Sequence, residues 1–523
     1  MESKLMRHKY FLYATEFFSG MSVMAVELGA SRLMAPYFSS SQIVWTVIIG
    51  VIMIAMAIGN VWGGRSADKR QDPGKLYRRL LIAAVWIALI PFLGRYVIAG
   101  ISLLLATFVS SNFLVWAALV TCLVIFAFPC ILLGTVTPSM VKYTVASLDN
   151  NGKTVGELGA LNTIGSIIGT FLPTFVTIPA VGTAATFLIF SGVLAFISIL
   201  YFVSVKKKKI FCTAAAALLV ALTVLTPKVS FAFWESGITL EDESVYNYLQ
   251  VKDDPDKTIL STNVLFGVQS IKMKNQELTG LYYDYALAAP IMAGMNVKEE
   301  NSVMILGLGS GTYATYCDKY FPGTKIQGAE IDEKIARIAT EYFGMPSTVD
   351  VAVEDGRAYL TASKELYDVI LVDAYQDITI PFQMSSIEFF TQVKDHLKEN
   401  GVMVVNMNMK SQSEDSINDY LCDTIAAVFP NVYRVPVEGS TNVEVFASAA
   451  DSLPEKLSEN TKSLEAGNLQ NMMVKVWYNL EKYQGQGRIL TDDKAPVELL
   501  GMQVLDEIIG EELDYYRDLY LGS

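Results

Sequence analysis

Seven apolar runs fill the first 227 residues, and they restrict the fold more than any other feature of the chain. They lie at 11–34, 43–62, 80–105, 113–134, 155–178, 184–205 and 210–226. In hydrocarbon every backbone N–H and C=O must find its partner within the protein, so apolar runs of this length predict helices. The first run is not a removable signal peptide, because it is longer than an h-region, holds Glu16 and Glu27, and lacks a small-residue cleavage site.

Charge divides the chain at about the same place. Up to Pro227 there are 17 Lys and Arg against 7 Asp and Glu, and after it 23 against 46. An acidic second part repels nucleic acid and attracts cations. In the first part basic residues cluster at Lys4, Arg7 and Lys9, then from Arg65 to Arg79, then at Lys142 and Lys153, then from Lys206 to Lys209. The positive-inside rule makes these four segments and the amino terminus cytoplasmic, in a multi-pass plasma-membrane protein. A full crossing by 210–226 then puts Glu241 onward outside, where a cytosolic nucleoside is scarce. That conflict disappears if 210–226 lies in the interface, or if 80–110, interrupted by Pro91 and Arg95, forms a re-entrant pair.

Glu16, Glu27 and Arg32 sit in or beside the first run, where a lone charge costs about 2.5 kcal/mol or more at midplane, so they are expected to pair or to line a polar cavity. Asn162, Thr163, Gly165, Ser166 and Gly169 are small residues at helical spacing and predict close helix packing. Cys122, Cys130, Cys212, Cys317 and Cys422 form no CxxC pair, and the histidines are His8 and His396, so the spacing supports neither a metal site nor a disulfide framework.

From Glu241 the texture becomes that of a soluble domain. ESVYNYLQV, TILSTNVLF and GVQSIKM read as short strands ahead of a helix at 282–292. Strands are then predicted at 303–306, 325–329, 349–353, 369–372 and 402–406 with helices between them, the pattern of a doubly wound α/β sheet. VMILGLGSGTYATYCDKYFPGTKIQGAEID runs strand, glycine turn, helix, strand, acid. Gly307, Gly309 and Gly311 let backbone approach a ligand, and Glu330, 19 residues past the last glycine, ends the second strand where ribose hydroxyls can be held. Asp355 and Asp373 end the next strands. An acid in such a place can also cap the following helix.

GLGSGT, the acid of AEID, EDGRAYL and YDVILVDAYQD, with ESVYNYLQV, GVQSIKM and the tyrosines at 282 and 283 upstream, resemble the polyamine synthases. These are aminopropyltransferases with a methyltransferase-like Rossmann fold. VELGASRLMAPYF, WGGRSADKR, GALNTIGSIIGTFLP and LTDDKAPVELL extend the likeness to the membrane-fused spermidine-synthase-like proteins. The resemblance implies a transmembrane helical bundle (1–227), a small β-rich subdomain (228–295) and a Rossmann-like transferase domain (296–523).

It implies S-adenosylmethionine or its decarboxylated form as co-substrate, no metal, and methylthioadenosine as the leaving group. Asp373 matches the catalytic acid. Gly307, Gly309, Ser310, Gly311, Glu330, Asp355 and Gly356 match the donor-binding positions, and Gln269, Tyr282, Asp284, Tyr375 and Asp377 the substrate-binding ones. Ser310 stands where the family usually carries an aspartate, Gln376 where it carries a second acid. Tyr282 and Tyr283 are adjacent on one helix, so one is expected to reach the cleft and the other to pack. The partners expected are a small-molecule amine or none, the bilayer, a second copy of the chain, and no nucleic acid. The alternatives are acceptor-free cleavage or cyclisation of S-adenosylmethionine, methyl transfer, or a transporter with a nucleoside-sensing domain.

Overall fold

Proline and glycine decide where the apolar helices bend. The computed structural model describes residues 8–144, 151–264, 268–298, 300–374, 380–408, 411 and 415–521. Two units divide the chain, a helical one up to Glu235 and a sheet-containing one that includes Leu249–Tyr515.

In the helical unit the long helices are Lys9–Phe38, Gln42–Lys69 and Pro73–Ala106. The last is continuous through Pro91, so the re-entrant pair considered for 80–110 does not form. The break falls later, between Phe113–Ile125 and Ala127–Thr144, which are bent by 48°. Pro129 has no N–H to give to the carbonyl four residues back, that of Ile125. That carbonyl accepts instead from Trp86 Nε1 at 2.8 Å. The runs at 155–178 and 184–205 lie on one helical stretch, Gly152–Ser204, bent where Gly182 takes φ +80°.

Among the described residues, three helices are by length and composition apolar enough to cross a membrane, or four if the bent pair counts as one span. Of the seven runs, 155–178 and 184–205 fall on either side of the kink at Gly182, Lys9–Phe38 is diluted by its charged residues, and the last forms a 17-residue helix, Lys209–Leu225, about 25 Å long. That helix packs through Leu222 against Ala88 and Leu188. Met53, Leu103, Phe196 and Val224 point large apolar side chains outward.

Lys9–Phe38 is the most enclosed of the long helices, and Thr15, Glu16, Ser19 and Ser22 face inward. Glu16 is fully buried and accepts from Thr137 Oγ1 at 2.6 Å and Asn162 Nδ2 at 2.9 Å. The small residues beside Asn162 do pack. A Cβ at Gly169 would lie 2.7 Å from the Met21 carbonyl carbon, and one at Gly165 3.0 Å from that of Phe17, so only glycine lets these two helices approach so closely.

The second unit carries two sheets. Strands β1 (Leu240–Glu243), β2 (Tyr248–Asp253), β3 (Lys257–Ser261) and β4 (Ser270–Met273) form a four-stranded sheet in that order. The helix expected at 282–292 is two short ones, Tyr282–Ala286 and Ala288–Met292. Pro290 frees the Ala286 carbonyl, which Tyr313 Oη reaches at 3.4 Å.

The large sheet contains β5 (Ser302–Leu306), β6 (Lys325–Ala329), β7 (Asp350–Ala352), β8 (Tyr367–Val372), β9 (Leu397–Met407), β10 (Asn431–Pro436), β11 (Val443–Ser448) and β12 (Glu481–Lys482). Its order is β12-β10-β11-β9-β8-β5-β6-β7. The five strands read from the sequence are present and parallel. The antiparallel extension through β10, β11 and β12 was not anticipated. Because β5 lies between β6 and β8, the chain winds away from it in both directions. Ligands collect at such a switch point, outside the carboxyl ends of the strands.

Candidate active site

The turn after β5 runs along the end of β8. Gly307 has φ +88°, and a Cβ there would sit 2.6 Å from Cα of Ala374, so glycine is required on both conformational and steric grounds. Gly309 and Gly311 also take positive φ, and helix Thr312–Tyr320 starts directly after them. At the end of β6 the buried Glu330 latches this turn: Oε2 accepts from Gly309 N–H at 2.9 Å and Oε1 from Asp332 N–H at 3.0 Å. Burial is the main cause that pushes its carboxyl up to about 7. A carboxylate has about four acceptor positions, so these backbone donors leave capacity for a further hydroxyl.

Asp373 follows β8 and is bracketed. Tyr282 Oη donates to Oδ2 at 2.8 Å, and Asn406 Nδ2, near the end of β9, donates to Oδ1 at 2.8 Å. Loss of solvent pushes its carboxyl up to about 7, the two hydrogen bonds oppose the shift, and Glu330 adds to it. A carboxyl poised near neutrality and held by two donors can take a proton from a reacting group. Asn406 Oδ1 in turn accepts from Asn442 Nδ2 at 2.7 Å, which extends the chain of contacts onto the β10–β11 hairpin.

The rings of Tyr282 and Tyr283 lie against each other, 4.0 Å between centroids. Tyr282 reaches Asp373, while Tyr283 is buried and donates to the Gln269 carbonyl at 3.3 Å. Gln269 therefore supports the tyrosine helix through its backbone.

The remaining residues are placed as follows. Ser310 is buried and its hydroxyl shares a 2.8 Å hydrogen bond with Thr312. Asp355 caps helix Gly356–Ala362 by accepting from Ala358 N–H at 2.9 Å, the capping role open to it from the sequence, and Gly356 is the first residue of that helix. Next to it Arg357 forks onto Asp492 of the LTDDKAPVELL segment, with both contacts at 2.7 Å.

Asp284, expected among the substrate-binding residues, has its carboxylate engaged by its own loop. Its carboxylate accepts from Thr279 N–H, Thr279 Oγ1 and Gly280 N–H and closes the loop before its own helix. Tyr375 and Asp377 lie outside the described residues. Sequence reasoning missed Asn406 and Asn442. For Asn406 the signal available was a polar side chain inside an otherwise apolar strand, VVNM.

Residues 287–444 match the spermine/spermidine synthase domain family. A protein of Bifidobacterium longum (strain NCC 2705), described as a probable polyamine aminopropyl transferase, is 49% identical over 339 residues, covering 61% of this chain and 75% of that one. A polyamine aminopropyltransferase of Vibrio vulnificus (strain CMCP6) is 28% identical over 295 residues, covering 53% of this chain and 95% of its own. Among solved structures, a probable spermidine synthase from Corynebacterium glutamicum ATCC 13032 is 20% identical, covers 46% of this chain and 94% of its own, and has a TM-score of 0.37.

Proposed function

Because this chain belongs to the polyamine aminopropyltransferase family, and so to the transferases that move alkyl groups, we propose that its α/β unit transfers an aminopropyl group from decarboxylated S-adenosylmethionine to an amine. The observation that carries this reading is Asp373, held between Tyr282 and Asn406 at the edge of the sheet where the glycine turn and Glu330 form a nucleoside cradle. An amine with a pKa near 10 must lose a proton to become a nucleophile. Its lone pair attacks the carbon joined to the sulfonium, the C–S bond breaks with its electrons going to sulfur, and methylthioadenosine leaves. Asp373 takes that proton from the acceptor ammonium before the attack, and the new secondary amine leaves as its ammonium. Tyr282 and Asn406 fix the orientation of that carboxylate, and Glu330 holds the ribose of the donor.

A second reading is favoured by one observation. Ser310 is tied to Thr312 and puts no acid in the turn to hold the donor's amine, so intact S-adenosylmethionine fits as well, by acceptor-free cleavage or methyl transfer. Product identity separates the two. With purified full-length protein, we expect methylthioadenosine from the decarboxylated donor only when an amine is present. Methylthioadenosine from S-adenosylmethionine without amine would replace the first reading by acceptor-free cleavage, and S-adenosylhomocysteine would replace it by methyl transfer.

The helical unit is read as membrane-embedded, with a cytoplasmic amino terminus and Lys209–Leu225 crossing. Support comes from the apolar helices, the outward apolar side chains, the Lys206–Lys209 block and the packing of Leu222 inside the bundle. A cysteine replacing the exposed Glu459, with Cys317 and Cys422 changed to serine, should be labelled in intact cells by a membrane-impermeant thiol reagent. Labelling only after lysis would refute the seventh crossing and put the cleft on the side of the cytosolic nucleoside pool.

A further inference from the structure

Glu16 stands inside the helical unit with half of its carboxyl group unused. It is fully buried on helix Lys9–Phe38, and Oε1 accepts from Thr137 Oγ1 at 2.6 Å and from Asn162 Nδ2 at 2.9 Å. Oε2 is closed to solvent and has no hydrogen-bond partner among the described residues. Both donors are neutral. Burial and these two hydrogen bonds are what act on the carboxyl, with no ion pair to it among the described residues. An ionised oxygen left bare in an apolar interior is costly, and a proton on Oε2 removes that cost.

Charged groups on the surrounding helices are engaged with one another. Lys9 pairs with Glu157 at 2.7 Å, Lys142 pairs with Asp68 at 3.0 Å, and the Arg79 guanidinium lies 4.0 Å over the Trp62 ring. Tyr77 shares a 3.1 Å hydrogen bond with Thr15 and stacks on Tyr201. Glu27 lies three turns beyond Glu16 on the same face of the helix, about 16 Å away, near the buried Cys130.

Packing limits what can occupy the place at Oε2. One turn beyond Glu16, a Cβ on Gly20 would come within 3.0 Å of Asn162 Cγ, and at Gly165 and Gly169 the same two helices touch through backbone. So close an approach leaves room for a proton and not for a metal ion or an amine. Polar groups also lead from this place toward water. Tyr13, one turn before Glu16 on the same face, donates its hydroxyl to Glu157, and the Lys9–Glu157 pair is partly exposed.

We propose that Glu16 is a proton-binding site of the helical unit, taking up and releasing H+ at Oε2 as the ambient pH changes. This rests on the membrane-embedded reading of that unit. The O–H bond is what forms and breaks, the proton comes from water and returns to it, and Thr137 and Asn162 hold Oε1 in both states. A group that changes charge inside a helical bundle is what proton-linked transport requires.

The test uses the full-length chain in phosphatidylcholine vesicles and dicyclohexylcarbodiimide, an apolar reagent that adds to the protonated form of carboxyl groups. Mass spectrometry of the peptide carrying Glu16 should show an adduct in the wild type and none in Glu16→Gln. The adduct should form about 10-fold or more faster at about pH 6 than at about pH 9. Thr137→Val takes one donor from the ionised form, so it should raise the midpoint of that dependence by about one pH unit or more, while Thr137→Ser should leave it in place.

An adduct that forms at the same rate at every pH would overturn the proposal, because it marks a permanently neutral structural acid. If no adduct forms, infrared spectra decide. A carboxyl C=O band that titrates in the wild type and is missing in Glu16→Gln keeps the site, and no such band removes it. A water-soluble carbodiimide judges the membrane reading separately. Reaction of Glu16 with that reagent as fast as with the apolar one would refute the embedded reading, whatever the pH dependence shows of the proton site.

Discussion

Replacing Asp373 by asparagine should lower turnover about 100-fold or more and leave donor binding largely intact. The substitution preserves shape, and the amide still meets Asn406 and Tyr282, but it cannot accept the proton. Single-turnover formation of methylthioadenosine is the measurement. A near-normal rate would sink the assignment of Asp373 as base.

The pH dependence has a defined sign. Asp373 and Glu330 both rise in the folded protein to about 7, from ordinary values of 3.8 and 4.5. The folded state binds the extra protons, so the stability these groups contribute is full below about pH 4 and lost as pH rises through 7. Asp373→Asn removes one of these penalties, so its Tm should gain on that of the wild type between pH 5 and pH 8. The wild-type rate should fall below about pH 7, where the base is protonated. A variant whose Tm tracks the wild type at both pH values would mean that Asp373 is not held above its ordinary range.

Replacing Glu330 by glutamine should weaken methylthioadenosine and S-adenosylmethionine alike, by about 1.5 to 3 kcal/mol, or roughly 10- to 150-fold, as expected for charge-assisted hydrogen bonds. Glutamine also puts an NH₂ group opposite Gly309 N–H or Asp332 N–H, each of which now donates to a carboxylate oxygen, so the glycine turn loses its latch as well. Calorimetry on a variant with unchanged circular dichroism is the measurement. Unaltered affinity would remove Glu330 from the nucleoside pocket.

The sequence alone determined whatever depends on local chemistry. The apolar runs of the first part read as helices, and in the described residues they are helical. The five parallel strands were legible because they are short runs with apolar centres separated by helical periods. The glycine turn was legible because a backbone that passes 2.6 Å from where a Cβ would meet Ala374 leaves glycine as the residue that fits. Glu330 and Asp373 could be placed at the ligand edge because an acid directly after a buried strand falls there.

What depends on residues far apart in the chain needed the tertiary structure. Whether Pro91 or Pro129 breaks a helix was decided by packing, since each frees a carbonyl and at Pro129 Trp86 takes the freed one. Asp284 reads as a site acid in a list of motifs, but the loop at Thr279 and Gly280 uses its oxygens first. Asn406 holds Asp373 because β9 pairs in parallel with β8, a register set between strands about 30 residues apart, and a shift of one residue would turn Asn406 to the opposite face.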